Sequence, residues 1–235
     1  TREGVKAAWE YAVKHAQICQ FTIGDGADDR FAQQLVKRLG MRDAVSIETK
    51  RHTASGDVKR VTEEMPVVQS KLVMGFAIGT TPEERLAAKL MSVVLGGTPS
   101  SKLFMNVREK LSLCYYASSN LEKMKGLLLV SSGIEFGQYQ QARDEILAQL
   151  EAIRRGEIED WELEGARRTL IGGHRSTLDD QSRLEEFWLG QAAAGLDTTI
   201  QELAGQFETI TREQVAQAAQ KLELDTIYFL KGTEG

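Results

Sequence analysis

The chain has 235 residues, 42% of them hydrophobic, and a formal net charge of −5. This size and apolar content allow one large or two small domains with a sizeable core, and an acidic balance without a basic block argues against nucleic acid as a partner. Its longest apolar runs, such as Gly126–Val130, fall far short of the ~20 residues of a membrane span, and its two cysteines, Cys19 and Cys114, set no disulfide framework and point to a reducing, cytoplasmic compartment.

The chain begins at Thr1 with neither Met nor a charged-then-apolar leader, and we read it as part of a longer protein. Residues 1–17 place Val5, Ala8, Trp9, Ala12 and Val13 on one helical stripe. Ile18–Ile23 is a short apolar run closed by Gly24-Asp25-Gly26, which predicts a strand and a turn. A helix is expected over 28–39, with Phe31, Leu35 and Leu39 on one side, Asp28 as N-cap and Gly40 as stop.

Residues 58–78 read as two strands broken near Pro66. In the second, Leu72, Met74 and Phe76 alternate with Val73, Gly75 and Ala77; both sets are apolar or small, which predicts cover on both faces. Thr81-Pro82-Glu83-Glu84 opens a helix: Thr81 caps it, Pro82 fits its first turn and Glu84 completes a capping box. Leu86, Leu90 and Val93 or Val94 form its buried stripe, and Gly96-Gly97 ends it. Ser100 or Ser101 caps a second helix, with Leu103, Phe104, Val107 and Leu111 inward.

Residues 114–121 and 126–134 form a hairpin through Lys125-Gly126. Beyond Gly137, helices are predicted over 138–155, 160–177, 181–194, 199–206 and 211–222, followed by a strand at 227–230. The last helix carries its own box, Thr211 with Gln214, and a staple of Ile210 on Val215. No internal repeat or low-complexity linker interrupts this order, which argues for an α+β class with a mostly antiparallel sheet and helices packed on one side.

The most specific segment is Gly96-Gly97-Thr98-Pro99-Ser100-Ser101-Lys102-Leu103-Phe104, followed by Val107 to Tyr116. It resembles the signature of the C-terminal domain of M16 metallopeptidases, the family of pitrilysin, insulin-degrading enzyme and the mitochondrial processing peptidase. That signature reads roughly G-G-x-x-S-x-L-F, then an Arg and a Tyr seven positions apart, here Arg108 and Tyr115. The resemblance extends over essentially the whole chain, with its specific part in residues 66–134. It implies a LuxS/MPP-like metallohydrolase fold over residues 1–235, a single C-terminal-type domain from a two-domain chain. In the family, zinc sits on an H-x-x-E-H helix of a facing domain, and this chain contains no H-x-x-E-H. Many members read Gly-Leu-Ala-Tyr or Gly-Leu-Gly-Tyr where this chain has Ser112-Leu113-Cys114-Tyr115, so Ser112 replaces a glycine that permits an unusual backbone angle. The run Arg108–Ser119 is similar to motif-lacking M16-like proteins of Gram-positive bacteria, which occur beside a second M16 protein with the zinc motif.

Taken alone, Arg108 is a solvated helix residue and Tyr115 a core strand residue. The resemblance instead implies that the pair binds the substrate backbone near the cleaved bond. There a guanidinium fork donates to carbonyls or a developing oxyanion, and a tyrosine hydroxyl donates beside it. By the same resemblance Gly96, Gly97 and Ser101 border the peptide chamber, although their residue-level reading is a helix stop and a cap. His15, His52 and His174 each lack a second histidine at ligand spacing, so no metal site and no catalytic residue are expected in this chain. Cys114 has no visible base and reads as a small strand residue. Trp161 and Trp188 lie on helical stripes, which predicts packing in a core or interface. The acidic stretch Glu157–Glu164 reads as a helix start. The resemblance therefore implies the non-zinc, substrate-clamping half of a zinc peptidase, with a zinc-bearing M16 domain or subunit and a peptide as partners. The rival reading is a non-catalytic scaffold that keeps the fold for assembly.

Overall fold

The structure is a computed structural model that describes residues 1–16, 18, 20–23, 30–40, 50–81 and 83–233. In chain order its elements are α1 (Arg2–His15), α2 (Arg30–Leu39), β1 (Lys59–Met65), β2 (Ser70–Ile78), α3 (Arg85–Gly96), a π-helix (Leu103–Lys110), β3 (Cys114–Glu122), β4 (Leu127–Ile134), α4 (Tyr139–Arg154), α5 (Asp160–Ser176), a short 3₁₀ turn (Thr177–Asp179), α6 (Gln181–Ala194), α7 (Ile200–Thr209), α8 (Arg212–Gln220) and β5 (Leu222–Gly232). They divide into two compact units, one of residues 1–48 with 177–197 and one of residues 49–176 with 198–235.

The smaller unit is helical. α1 is capped by Thr1, whose hydroxyl accepts the Gly4 N–H at 3.1 Å. It buries none of its residues, so the stripe of Val5 and Trp9 faces outward, at 72% and 64% exposure. α2 ends at Gly40, whose φ of 74° lies in the left-handed region. Ile18 and residues 20–23 form no strand, contrary to the expectation from their apolar run. Ile18 and Ile23 are exposed, and among the described residues no strand pairs with them to turn an apolar run into a strand. The Asp28 cap, the Gly24–Gly26 turn, Cys19 and Pro82 lie outside the described residues.

The larger unit holds a five-stranded sheet in the order β1-β5-β2-β4-β3. Only β1 and β5 run parallel; β5–β2, β2–β4 and β4–β3 are antiparallel. Leu72, Met74 and Phe76 on β2, Leu128 and Val130 on β4, and Ile227 and Phe229 on β5 point to the helical side. They pack there with Leu90, Met91 and Val94 of α3, Ile146 and Leu150 of α4, and Val215 and Ala219 of α8 in one buried cluster. On the other face Val73 and Gly75 are half-buried and Ala77 is buried, while Leu129 of the neighbouring β4 is exposed, so the second side of β2 is covered only in part. The α+β class with helices on one side of a mostly antiparallel sheet is thus what the structure has.

Three starts differ from the sequence reading. β5 begins at Leu222 rather than 227, so the last helix stops at Gln220. The Glu84 carboxylate accepts the Thr81 N–H at 3.0 Å, as a capping box requires, but α3 begins only at Arg85 and Glu84 is its N-cap. The segment after Ser101 winds as a π-helix, with the Leu111 N–H reaching the Asn106 carbonyl five residues back at 3.2 Å. The wider turn keeps Leu103 and Val107 buried, leaves Phe104 half-buried and carries Leu111 out to solvent.

Candidate functional site

The link from the π-helix to β3 sets the geometry of the site. The N–H groups of Ser112 and Leu113 return to the carbonyls of Arg108 and Val107 at 3.0 and 2.9 Å. This tight reversal forces Ser112 to a φ of 51°, a left-handed conformation that is rare for serine. The sequence position that carries glycine in many M16 proteins is therefore also the strained position here.

The chain then enters β3 through a bulge. Cys114 pairs with Ile134 and Tyr116 with Gly133, so Tyr115 is an extra residue with no partner on β4. Ala117 and Leu121 face the core, and strict alternation would send Tyr115 to that side as well. The inserted residue reverses the phase: Cys114 turns inward and Tyr115 turns out, at 63% exposure. Tyr116, also exposed, lays its ring over Gly133, where a Cβ would stand 2.5 Å from the Tyr116 Cε1.

Arg108 and Tyr115 consequently line one open hollow of about 370 Å³ together with Glu109, Ser112, Cys114 and Glu135. The Arg108 guanidinium lies 4.5 Å from the centre of the Phe104 ring, and its Nε is 3.7 Å from the Glu109 carboxylate. Glu135, the residue after β4, had no signal in the sequence. Its carboxylate stands beside the Tyr115 hydroxyl and pushes that pKa up, first as an acceptor for the phenolic proton and then by its charge. Tyr115 therefore remains a neutral phenol at neutral pH. Burial pushes the Cys114 thiol up, against smaller opposing effects of a Ser132 hydrogen bond and the Arg108 charge, so it is no thiolate nucleophile.

The other three predicted positions are placed differently. Gly96 is buried against β3, where a Cβ would lie 2.6 Å from the Ser119 backbone nitrogen. A Cβ on Gly97 would meet Val93 at 2.7 Å. Ser101 is buried, and its hydroxyl has no hydrogen-bond partner. None of the three lines the hollow of Arg108 and Tyr115. Beside them Lys102 and Glu162 form an ion pair at 2.9 Å, with side chains only 8% and 4% exposed, that ties the start of the π-helix to the first turn of α5. A lysine in the Ser-Ser-Lys-Leu-Phe run and a glutamate at the third residue of a helix were the available signals, but their pairing across 60 residues of sequence was not legible.

His15 packs on Tyr11, His52 pairs with Asp225 at 3.3 Å and His174 stacks on Phe207. Among the described residues no group of three or more His, Cys, Asp or Glu side chains could hold a metal ion, and no helix is long and apolar enough to cross a membrane. Trp161 is exposed, so its stripe does not enter the core, whereas Trp188 is half-buried edge-on to Phe187.

The profile of the family described as Peptidase M16 inactive domain matches residues 1–170. The chain belongs to that family. It is 34% identical over 244 residues to the Bacillus subtilis (strain 168) protein named Probable inactive metalloprotease YmfF, covering 100% of this chain and 56% of that one. It is 24% identical over 205 residues to Uncharacterized zinc protease YmxG of the same strain, covering 86% and 50%. The crystal structure of a conserved protein from Enterococcus faecalis V583 superimposes with a TM-score of 0.81 at 28% identity, over 89% of this chain and 51% of that one. The chain thus spans about half the length of the relatives that it matches. An inactive-domain assignment agrees with a sequence that lacks H-x-x-E-H and suggests a non-catalytic half of an M16 peptidase, without a catalytic metal of its own.

Proposed function

We propose that this chain is the substrate-clamping half of an M16-type peptidase and that it completes a peptide chamber with an H-x-x-E-H domain or subunit. The observation that carries the reading is the bulge that turns Tyr115 out of the core into the hollow that Arg108 also lines. There Arg108 offers N–H donors to a peptide carbonyl or the oxyanion formed from it, and the neutral Tyr115 hydroxyl adds one more. The zinc and the general base belong to the partner, which fits the name of the matched zinc protease relative. We read residues 1–235 as one C-terminal-type domain acting in the cytoplasm, in the same chain as its zinc-bearing partner or paired with it through an interface of at least ~1,000 Å².

The test is reconstitution with a zinc-bearing M16 protein of the same organism and cleavage of a quenched fluorescent peptide set. Arg108→Ala is expected to lower kcat/KM about 10²-fold while the complex still assembles. A complex that assembles and cleaves equally well without Arg108 and Tyr115 overturns the clamp and leaves the scaffold.

A further inference from the structure

The clamp depends on Arg108, and an arginine left to itself points in no fixed direction. Its side chain is 42% exposed and carries large rotamer freedom. Something has to hold the guanidinium without occupying the N–H donors that a peptide carbonyl or an oxyanion needs. A bidentate carboxylate would hold the fork and fill it at the same time.

The contacts that Arg108 makes are of another kind. Its guanidinium carbon lies over the Phe104 ring, 4.5 Å from the centre. Contact through the face of the group leaves the N–H donors at its edge free. The Glu109 carboxylate stands 3.7 Å from Nε, beyond hydrogen-bond length, so it offsets charge without taking a donor. The winding sets up this arrangement. In an α-helix, at about 3.6 residues per turn, Glu109 would lie about 140° around the axis from Phe104. In the π-helix Leu103–Lys110 a turn closes over five residues, as the Leu111 N–H does on the Asn106 carbonyl. That returns Glu109 as well as Arg108 to the side of Phe104. Core packing does not account for the ring. Phe104 is half-buried, and among the described residues it belongs neither to the buried cluster nor to the half-buried side chains packed on it. Leu103 and Val107 on the same helix are fully buried in that cluster.

We propose that Phe104 is a positioning residue, whose ring holds the Arg108 guanidinium in the hollow with its donors free before a peptide enters. The ordering of the arginine is then complete in the unbound protein, and none of it has to be supplied by substrate. The effect on cleavage rests on the clamp reading; the effect on Arg108 itself does not.

Two measurements keep these apart. In the whole chain, NMR follows the Arg108 Nε–H signal, which a ring beneath it displaces. Phe104→Leu should remove that displacement and increase the motion of the guanidinium, with thermal unfolding confirming that the variant folds. In the complex reconstituted with a zinc-bearing M16 protein, Phe104 is replaced by mono-, di- and trifluorinated phenylalanine, which weakens the negative ring face at nearly constant shape. On the quenched fluorescent peptides kcat should fall stepwise, about two- to fivefold in all, with KM little changed. Phe104→Trp should keep the parent rate, and the fluorinated series should be flat in an Arg108→Ala background. An unchanged Arg108 signal in folded Phe104→Leu, or a kcat independent of fluorination while Arg108→Ala is impaired, would overturn the proposal. If Arg108→Ala cleaves as well as the parent, it is the clamp that fails, and the Arg108 signal still decides whether Phe104 positions it.

Discussion

Glu162→Gln should be among the most damaging single polar substitutions in this protein. It leaves the Lys102 ammonium, 8% exposed, without its counter-ion. Breaking a buried pair from one side costs about 3–5 kcal/mol. At ~2–4 °C per kcal/mol for a domain of this size, Tm should fall by roughly 6–20 °C. The reverse change is milder. In Lys102→Met the Glu162 carboxylate keeps the Glu159 N–H, at 2.9 Å, and sits in the first turn of α5, where the helix dipole favours negative charge. Its loss should be smaller by ~1–2 kcal/mol. The double variant removes both charges and should recover to within about 1–2 kcal/mol of the parent. Urea unfolding followed by circular dichroism, with m-values compared, gives all four corners of the cycle. A loss under ~1 kcal/mol for Glu162→Gln, or a larger loss for Lys102→Met, refutes the reasoning.

Ser112→Gly should match or exceed the parent in stability, whereas Ser112→Val, which cannot easily hold φ at 51°, should lose ~1–3 kcal/mol in the same urea assay. Gly96→Ala drives a methyl into the β3 backbone and should cost ~1–3 kcal/mol, seen as a lower urea midpoint at an unchanged m-value. The folded chain holds the His174 proton less readily than the unfolded chain, so stability present above the ordinary histidine value of 6.5 is lost as pH falls through and below it. His174→Gln should flatten that part of a Tm-versus-pH curve. Glu135→Gln should bring the Tyr115 pKa down toward its ordinary value in a phenol titration by NMR.

Long periodic segments with chemical punctuation were legible in the sequence. α6 was expected at 181–194 and occupies Gln181–Ala194, because the Asp180 side chain caps one end and Gly195, at φ 65°, stops the other. The Thr211–Gln214 box formed as read. The site was legible only in part. Period-2 reasoning sends Tyr115 into the core, and a single inserted residue reverses that. Only the family resemblance pointed to the pair of Arg108 and Tyr115. The π-helix was hidden because Leu103, Val107 and Leu111 keep a spacing of four that suits an ordinary helix as well. Glu135 was hidden because its role comes from the register of β3 on β4, which no local pattern encodes. Ile18 and residues 20–23 misled because strand propensity makes no strand without a pairing partner, and none lies among the described residues.

The place of β5 in the sheet constrains how the chain can be made. Residues 222–232 lie between β1 and β2, whereas β2, β4 and β3 are neighbours in sequence as well as in space. On a ribosome, the three-stranded half can close early through its hairpin, while β1 must wait for about 160 further residues before its parallel partner emerges. Until then the β5-facing edge of β2, with its row of unpaired backbone groups, is open to strands of other molecules. The interval between synthesis of Ile78 and of Leu222 is therefore when this protein is most exposed to misassembly, and holding that edge of β2 is where a chaperone would help it most.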